Sequence, residues 1–111
     1  MYAVIFEVEP KPGHKDDYLG AAARLKSELE AVEGLISVER FASLSDDNKL
    51  VSLSFWQSAE AIERWRRNPD HMAAQALGIC HYFTDFRIRV ARVERDYCLA
   101  DRRQQREDDD A

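Results

Sequence analysis

The residues best suited to chemistry gather between Phe55 and Phe86. That stretch holds both tryptophans, Trp56 and Trp65, two of the three histidines, His71 and His81, and the aromatics Tyr82, Phe83 and Phe86. His71 follows Asn68-Pro69-Asp70, a capping and start signal that places it in the first turn of a helix. There the helix dipole opposes positive charge on the ring. A neutral imidazole can take a proton from an acidic hydroxyl or donate a hydrogen bond to an oxygen. Gln75 is four residues on, on the same helical face, where its amide can orient a substrate carbonyl or phenol. Trp65 follows Ile62 by three residues, so both face the sheet. Each also has a purely structural reading: Trp65 as a core filler, His71 as a surface or capping residue.

Other chemistries find no motif. The glycines at positions 13, 20, 34 and 78 form neither a P-loop nor a GxGxxG turn, so no nucleotide cofactor is expected. The sequence holds no CxxC, no HExxH and no histidine pair at i,i+4, so no metal is expected. No serine lies in a GxSxG elbow. Cys80 beside His81 does not make a thiolate nucleophile, because adjacent side chains rarely point at each other.

The elements that must position these residues follow from periodicity. Residues 2–9 begin with the apolar run Tyr2 to Phe6 and read as a strand, ended by Pro10, Pro12 and Gly13. A helix from about His14 to Glu33 carries the stripe Tyr18, Ala22, Leu25, Leu29 and Val32, with Arg24, Glu28 and Glu30 on a solvated face. Asp16 and Asp17 suit its first turn, and Gly34 suits its C′ position. Residues 35–43 and 49–56 read as a hairpin around Ser45-Asp46-Asp47-Asn48. In its second strand Val51, Leu53 and Phe55 point one way, and Leu50, Ser52, Ser54 and Trp56 the other. Ser58 caps a short helix to about Arg67, a third helix runs to Gly78, and residues 82–95 form a last strand. That strand alternates Phe86, Ile88 and Val90 with Asp85, Arg87 and Arg89.

The order β-α-β-β-α-α-β is the split βαβ, ferredoxin-like pattern of an α+β fold with an antiparallel sheet. Two helices on one face leave the other face bare, yet the first and third strands are apolar on both faces. A homodimer packing sheet against sheet would cover that patch. Residues 1–97 are expected to form the domain, and 98–111 a charged, disordered tail.

Composition narrows the partners. The chain has 111 residues, 16 basic against 21 acidic side chains, and a formal charge of -5. That length suits one domain. The charge argues against nucleic acid and against an anionic membrane surface. No stretch reaches the roughly 20 apolar residues of a membrane-spanning helix. The N-terminus has no basic run of a signal peptide, and two cysteines make no disulfide framework, so reduced thiols and a cytoplasmic setting are expected.

The segments "SLSFWQSAEAIERWRRNPDHMAAQALG" (Ser52 to Gly78) and "YFTDFRIRVARVERDY" (Tyr82 to Tyr97) are familiar in their order and spacing. With "VIFEVEPKPGHKDDYL" (Val4 to Leu19) and "LEAVEGLISVERFASLSD" (Leu29 to Asp46), they resemble the antibiotic biosynthesis monooxygenase (ABM) family over about residues 2–97. The resemblance implies a dimeric α+β barrel, with a pocket in each protomer between helices and sheet. It also implies an oxygenase of phenolic or quinol-like molecules that uses O₂ with no cofactor, the substrate's deprotonated ring acting as reductant. On that reading Trp65 is pocket wall and hydrogen-bond donor, His71 is base or proton relay, and Gln75, Phe6, Phe83 and Phe86 contact substrate. A haem-degrading branch places asparagine on the first strand and a haem-ligating histidine ten residues after the tryptophan. Here those positions hold Phe6 and Gln75, which counts against haem. A non-catalytic small-molecule-binding dimer is the alternative, because one fold hosts many functions.

Overall fold

The computed structural model describes residues 1–102, apart from the side chains of residues 79 and 80. The chain runs β1 (Tyr2–Pro10), α1 (Lys15–Glu30), β2 (Leu35–Ala42), β3 (Leu50–Trp56), α2 (Ala59–Arg66) and α3 (Pro69–Leu77). A π-helical turn over Gly78–Tyr82 then leads into β4 (Phe83–Arg92). The four strands form one antiparallel sheet in the order β2-β3-β1-β4. This is the expected ferredoxin-like α+β architecture.

Register decides which residues see the helices. Val4 lies opposite Ser54 and Val90, Phe6 opposite Ser52 and Ile88, and Val8 opposite Leu50 and Phe86. On β2, Val38 pairs with Ser54 and Arg40 with Ser52. Directly paired residues share a face. Even positions of β1, β3 and β4 therefore form the floor beneath the helices, and Ile5, Glu7, Val51, Leu53, Phe55, Arg87 and Arg89 point away.

The core is divided. One buried cluster joins Val8, Tyr18, Leu50 and Phe83, with Phe6 and Tyr82 packed against it. A second joins Leu29, Trp56, Ala61 and Ile62, flanked by Val4, Val38 and Trp65. The helices above them are locally well specified. The Ser58 side chain accepts from Ala61 N at 3.2 Å to start α2. The Asn68 side chain accepts from the backbone N of Asp70 and His71 to start α3, with Pro69 at the first turn.

Four sequence expectations need correction. Helix α1 stops at Glu30 with Ala31 as its C-cap, so Gly34 is not the C′ residue. Gly34 instead has φ 96° in the turn entering β2, with its Cα face against Ala61. Glu28 does not lie on a solvated face. It is half-buried, its Oε2 has no hydrogen-bond partner among the described residues, and the nearby Asp70 carboxyl pushes its pKa up. Strand β4 ends at Arg92 rather than near Arg95. Finally, residues 99–102 of the expected tail form a helical turn, in which Asp101 accepts from the backbone N of Cys98 at 2.9 Å. The rest of that tail, 103–111, lies outside the described residues.

Candidate active site

The cavity exists because small residues occupy the gap between the two core clusters. On the inner face of β3, Ser52 and Ser54 stand between Leu50 and Trp56. Above them α1 presents Ala21 and Ala22, and α3 presents Ala74 next to Gly78. The space left is about 430 Å³, which suits a small organic molecule. Its walls are mainly apolar, with contributions from Val4, Phe6, Leu25, Phe83, Ile88 and Val90.

One wall is a stacked pair. The rings of Trp65 and His71 lie 4.6 Å apart between centroids, tilted by 33°. Helix α2 holds Trp65, and the Asn68 cap fixes the backbone of His71 with a bond of 3.0 Å. His71 Nδ1 is buried with no hydrogen-bond partner among the described residues. Burial pushes the His71 pKa below its ordinary value, and the Trp65 backbone offsets part of that. The ring is therefore neutral at pH 7, and His71 is one of the residues that line the cavity. Trp56, which is 2% exposed, is locked differently. Its Nε1 donates to Ser54 Oγ at 2.8 Å.

Of the six residues singled out from the sequence, His71, Trp65, Gln75, Phe6 and Phe83 line this one cavity. Phe86 does not. It shares the inner sheet face but is 38% exposed, and it packs edge-on against Phe6 at 6.2 Å. Sequence reasoning overlooked Tyr18, Arg40, Ser52, Ser54, Arg66 and Tyr82 as lining residues. The signal for Arg40 was its period-2 placement with Val38 on β2. The signal for the serines was their position on an inner strand face where a closed core would hold larger groups. Tyr18 was legible only as part of an apolar stripe. Burial pushes the Tyr18 hydroxyl pKa up, and the Arg40 guanidinium, through charge and a hydrogen bond, works against that shift.

Among the described residues, no three His, Cys, Asp or Glu side chains come together as a metal site, and no helix is long and apolar enough to cross a membrane.

The antibiotic biosynthesis monooxygenase family model matches residues 1–77. The jasmonate monooxygenase ABM of Pyricularia oryzae is 40% identical over 93 residues, covering 84% of this chain and 43% of that protein. The chain thus spans less than half the length of this fungal relative. YqjZ of Bacillus subtilis is 32% identical over 94 residues, covering 85% of this chain and 80% of that protein. The structure of Rv0793 from Mycobacterium tuberculosis matches with a TM-score of 0.78 at 18% identity, covering 87% of this chain and 98% of that one. At that identity the match shows the fold alone.

Proposed function

The chain belongs to the antibiotic biosynthesis monooxygenase family, and on that premise we propose that it is a monooxygenase acting on a phenolic or quinol-like small molecule in the cavity above the sheet. The observation that carries this reading is His71 lining an apolar cavity, its ring 4.6 Å from that of Trp65 and its Nδ1 buried without a hydrogen-bond partner among the described residues. His71 takes the proton of the substrate hydroxyl. The apolar walls leave the resulting anion poorly solvated and electron-rich. A ring carbon that bears hydrogen then bonds to O₂ and yields a hydroperoxide. Cleavage of its O–O bond with loss of water leaves a quinone carbonyl. One oxygen atom stays in the product, the other leaves as water, and the electrons come from the substrate. Trp65 and Gln75 donate hydrogen bonds to substrate oxygens, while Phe6 and Phe83 hold the ring.

The outer face of the sheet completes the assembly. Ile5, Val51, Leu53 and Phe55 form an apolar band there, with Phe41 45% exposed beside it and the Glu7–Arg89 ion pair at its margin. A second copy covers this band. Two cysteines, too few for a disulfide framework, fit a cytoplasmic setting.

Oxygen uptake with an electron-rich naphthalene quinol, after treatment with chelator, tests the activity. The expected result is uptake that falls at least tenfold in both His71→Ala and Trp65→Phe. Uptake unchanged in both variants refutes the assigned roles. Quinol binding without oxygen uptake would make the protein a binding module instead.

A further inference from the structure

We propose that the substrate also carries a carboxylate, which Arg40 holds at the β2 side of the cavity beside Ser52 and the Tyr18 hydroxyl. This rests on the reading of the cavity as a substrate site and adds a charge requirement to it.

The charge balance of the cavity is opposite to that of the chain. The sequence carries a formal charge of -5, yet the lining includes two arginines and no aspartate or glutamate among the described residues. Strand alternation produces this segregation. Glu7 pairs with Val51 and Glu39 with Leu53, so both carboxylates project from the outer face. Asp85, paired with Glu9, goes the same way. Arg40 pairs with Ser52 and projects inward.

The two arginines differ. Arg66 is bound to Glu63 at 3.1 Å. Arg40 has no carboxylate within ion-pair distance among the described residues. Its planar fork of donors matches a carboxylate in two-point contact. Burial keeps the adjacent Tyr18 hydroxyl protonated, so it is a second donor for the same group.

The arrangement sets one ligand in one direction. Tyr18 belongs to the core cluster around Val8 and Phe83, whereas Trp65 flanks the cluster around Trp56 and Ile62 and carries His71 on its ring. The cation and the base therefore come from opposite ends of the cavity. A flat molecule with its acid at one end and its reactive hydroxyl at the other meets both.

Binding of dihydroxynaphthoic acid and of its methyl ester, followed anaerobically by quenching of tryptophan fluorescence, tests this without requiring turnover. The acid should bind several-fold tighter than the ester, as expected for an ion pair to an exposed arginine. Arg40→Gln should remove the preference while leaving ester affinity within about twofold, and Arg40→Lys should keep part of it. Arg40 is exposed on an edge strand, so neither change threatens the core. Equal affinity for acid and ester in the wild type overturns the carboxylate proposal and leaves the quinol reading standing. So does a preference that survives in Arg40→Gln. Failure of both ligands to bind overturns both.

Discussion

Helix α2 delivers Trp65 to the cavity, and its docking depends on one glycine. An ideal Cβ built on Gly34 would lie 2.6 Å from the Cβ of Ala61, and Ala61 is 0% exposed. Neither partner can retreat easily. The Gly34 carbonyl accepts from Gln57 N at 2.7 Å, which ties this turn to the end of β3. Gly34 also has φ 96°, a region that costs an L residue about 1–2 kcal/mol. Overpacking adds about 1–3 kcal/mol. Gly34→Ala should therefore destabilise the fold by about 2–5 kcal/mol. Gly13 supplies the control. Its φ is 82°, with nothing within 4 Å of an added Cβ, so Gly13→Ala should cost only the backbone part, about 1–2 kcal/mol. Ala61→Gly alone should cost about 1 kcal/mol in a helix, but in the Gly34→Ala background it should cost less than that, because it relieves the overpacking while the backbone part remains. The assay is urea unfolding at one fixed protein concentration, because assembly makes stability concentration-dependent. Equal costs for Gly13→Ala and Gly34→Ala, with no coupling to Ala61, would refute the close approach of α2 to the β2 turn.

Four further outcomes follow from the site. Because burial lowers the His71 pKa below 6.5, the unfolded chain takes up that proton at higher pH than the folded one. The stability His71 contributes is whole above pH 6.5 and is lost as pH falls through the folded-state pKa; urea midpoints measured across that window should show a slope that His71→Gln reduces. The rate should likewise fall on the acid side as the base is protonated, with an apparent pKa under 6.5 that His71→Gln abolishes. In Gly78→Ala the new Cβ would meet the Phe83 ring at 2.6 Å, so Phe83 must move; quinol affinity should drop at least tenfold, with about 1–3 kcal/mol lost in unfolding. Ser52→Leu should fill the cavity floor, leaving a folded protein within about 1 kcal/mol of wild type that no longer quenches on addition of quinol.

Much of this was legible in the sequence because the signals were local. Ser58 and Asn68-Pro69 mark the starts of α2 and α3, and the alternation in β3 and β4 sorts their side chains between faces. His71, Gln75 and Trp65 could be grouped because helical spacing fixes which residues share a face. What was not legible depends on contacts between distant elements. Gly34 reads as a helix terminus, but it lies in the turn into β2, where its positive φ and the packing of Ala61 against it together call for glycine. Glu28 reads as solvated from helix period alone, and only the approach of α3 brings Asp70 to it. Arg40 and Tyr18 meet through the crossing of α1 over β2, which no local pattern encodes. Phe86 has the correct face but the wrong row, paired with Val8 beyond the edge of the cavity.

The central claim is that His71 and its cavity direct oxygenation of a substrate that supplies its own electrons. Turnover of a naphthalene quinol under isotopically labelled dioxygen, with the product read by mass spectrometry, tests it most directly. The quinone from the wild type should carry one labelled oxygen per turnover, and His71→Ala should form almost none. An unlabelled product, or the same labelled yield from His71→Ala, would contradict the claim.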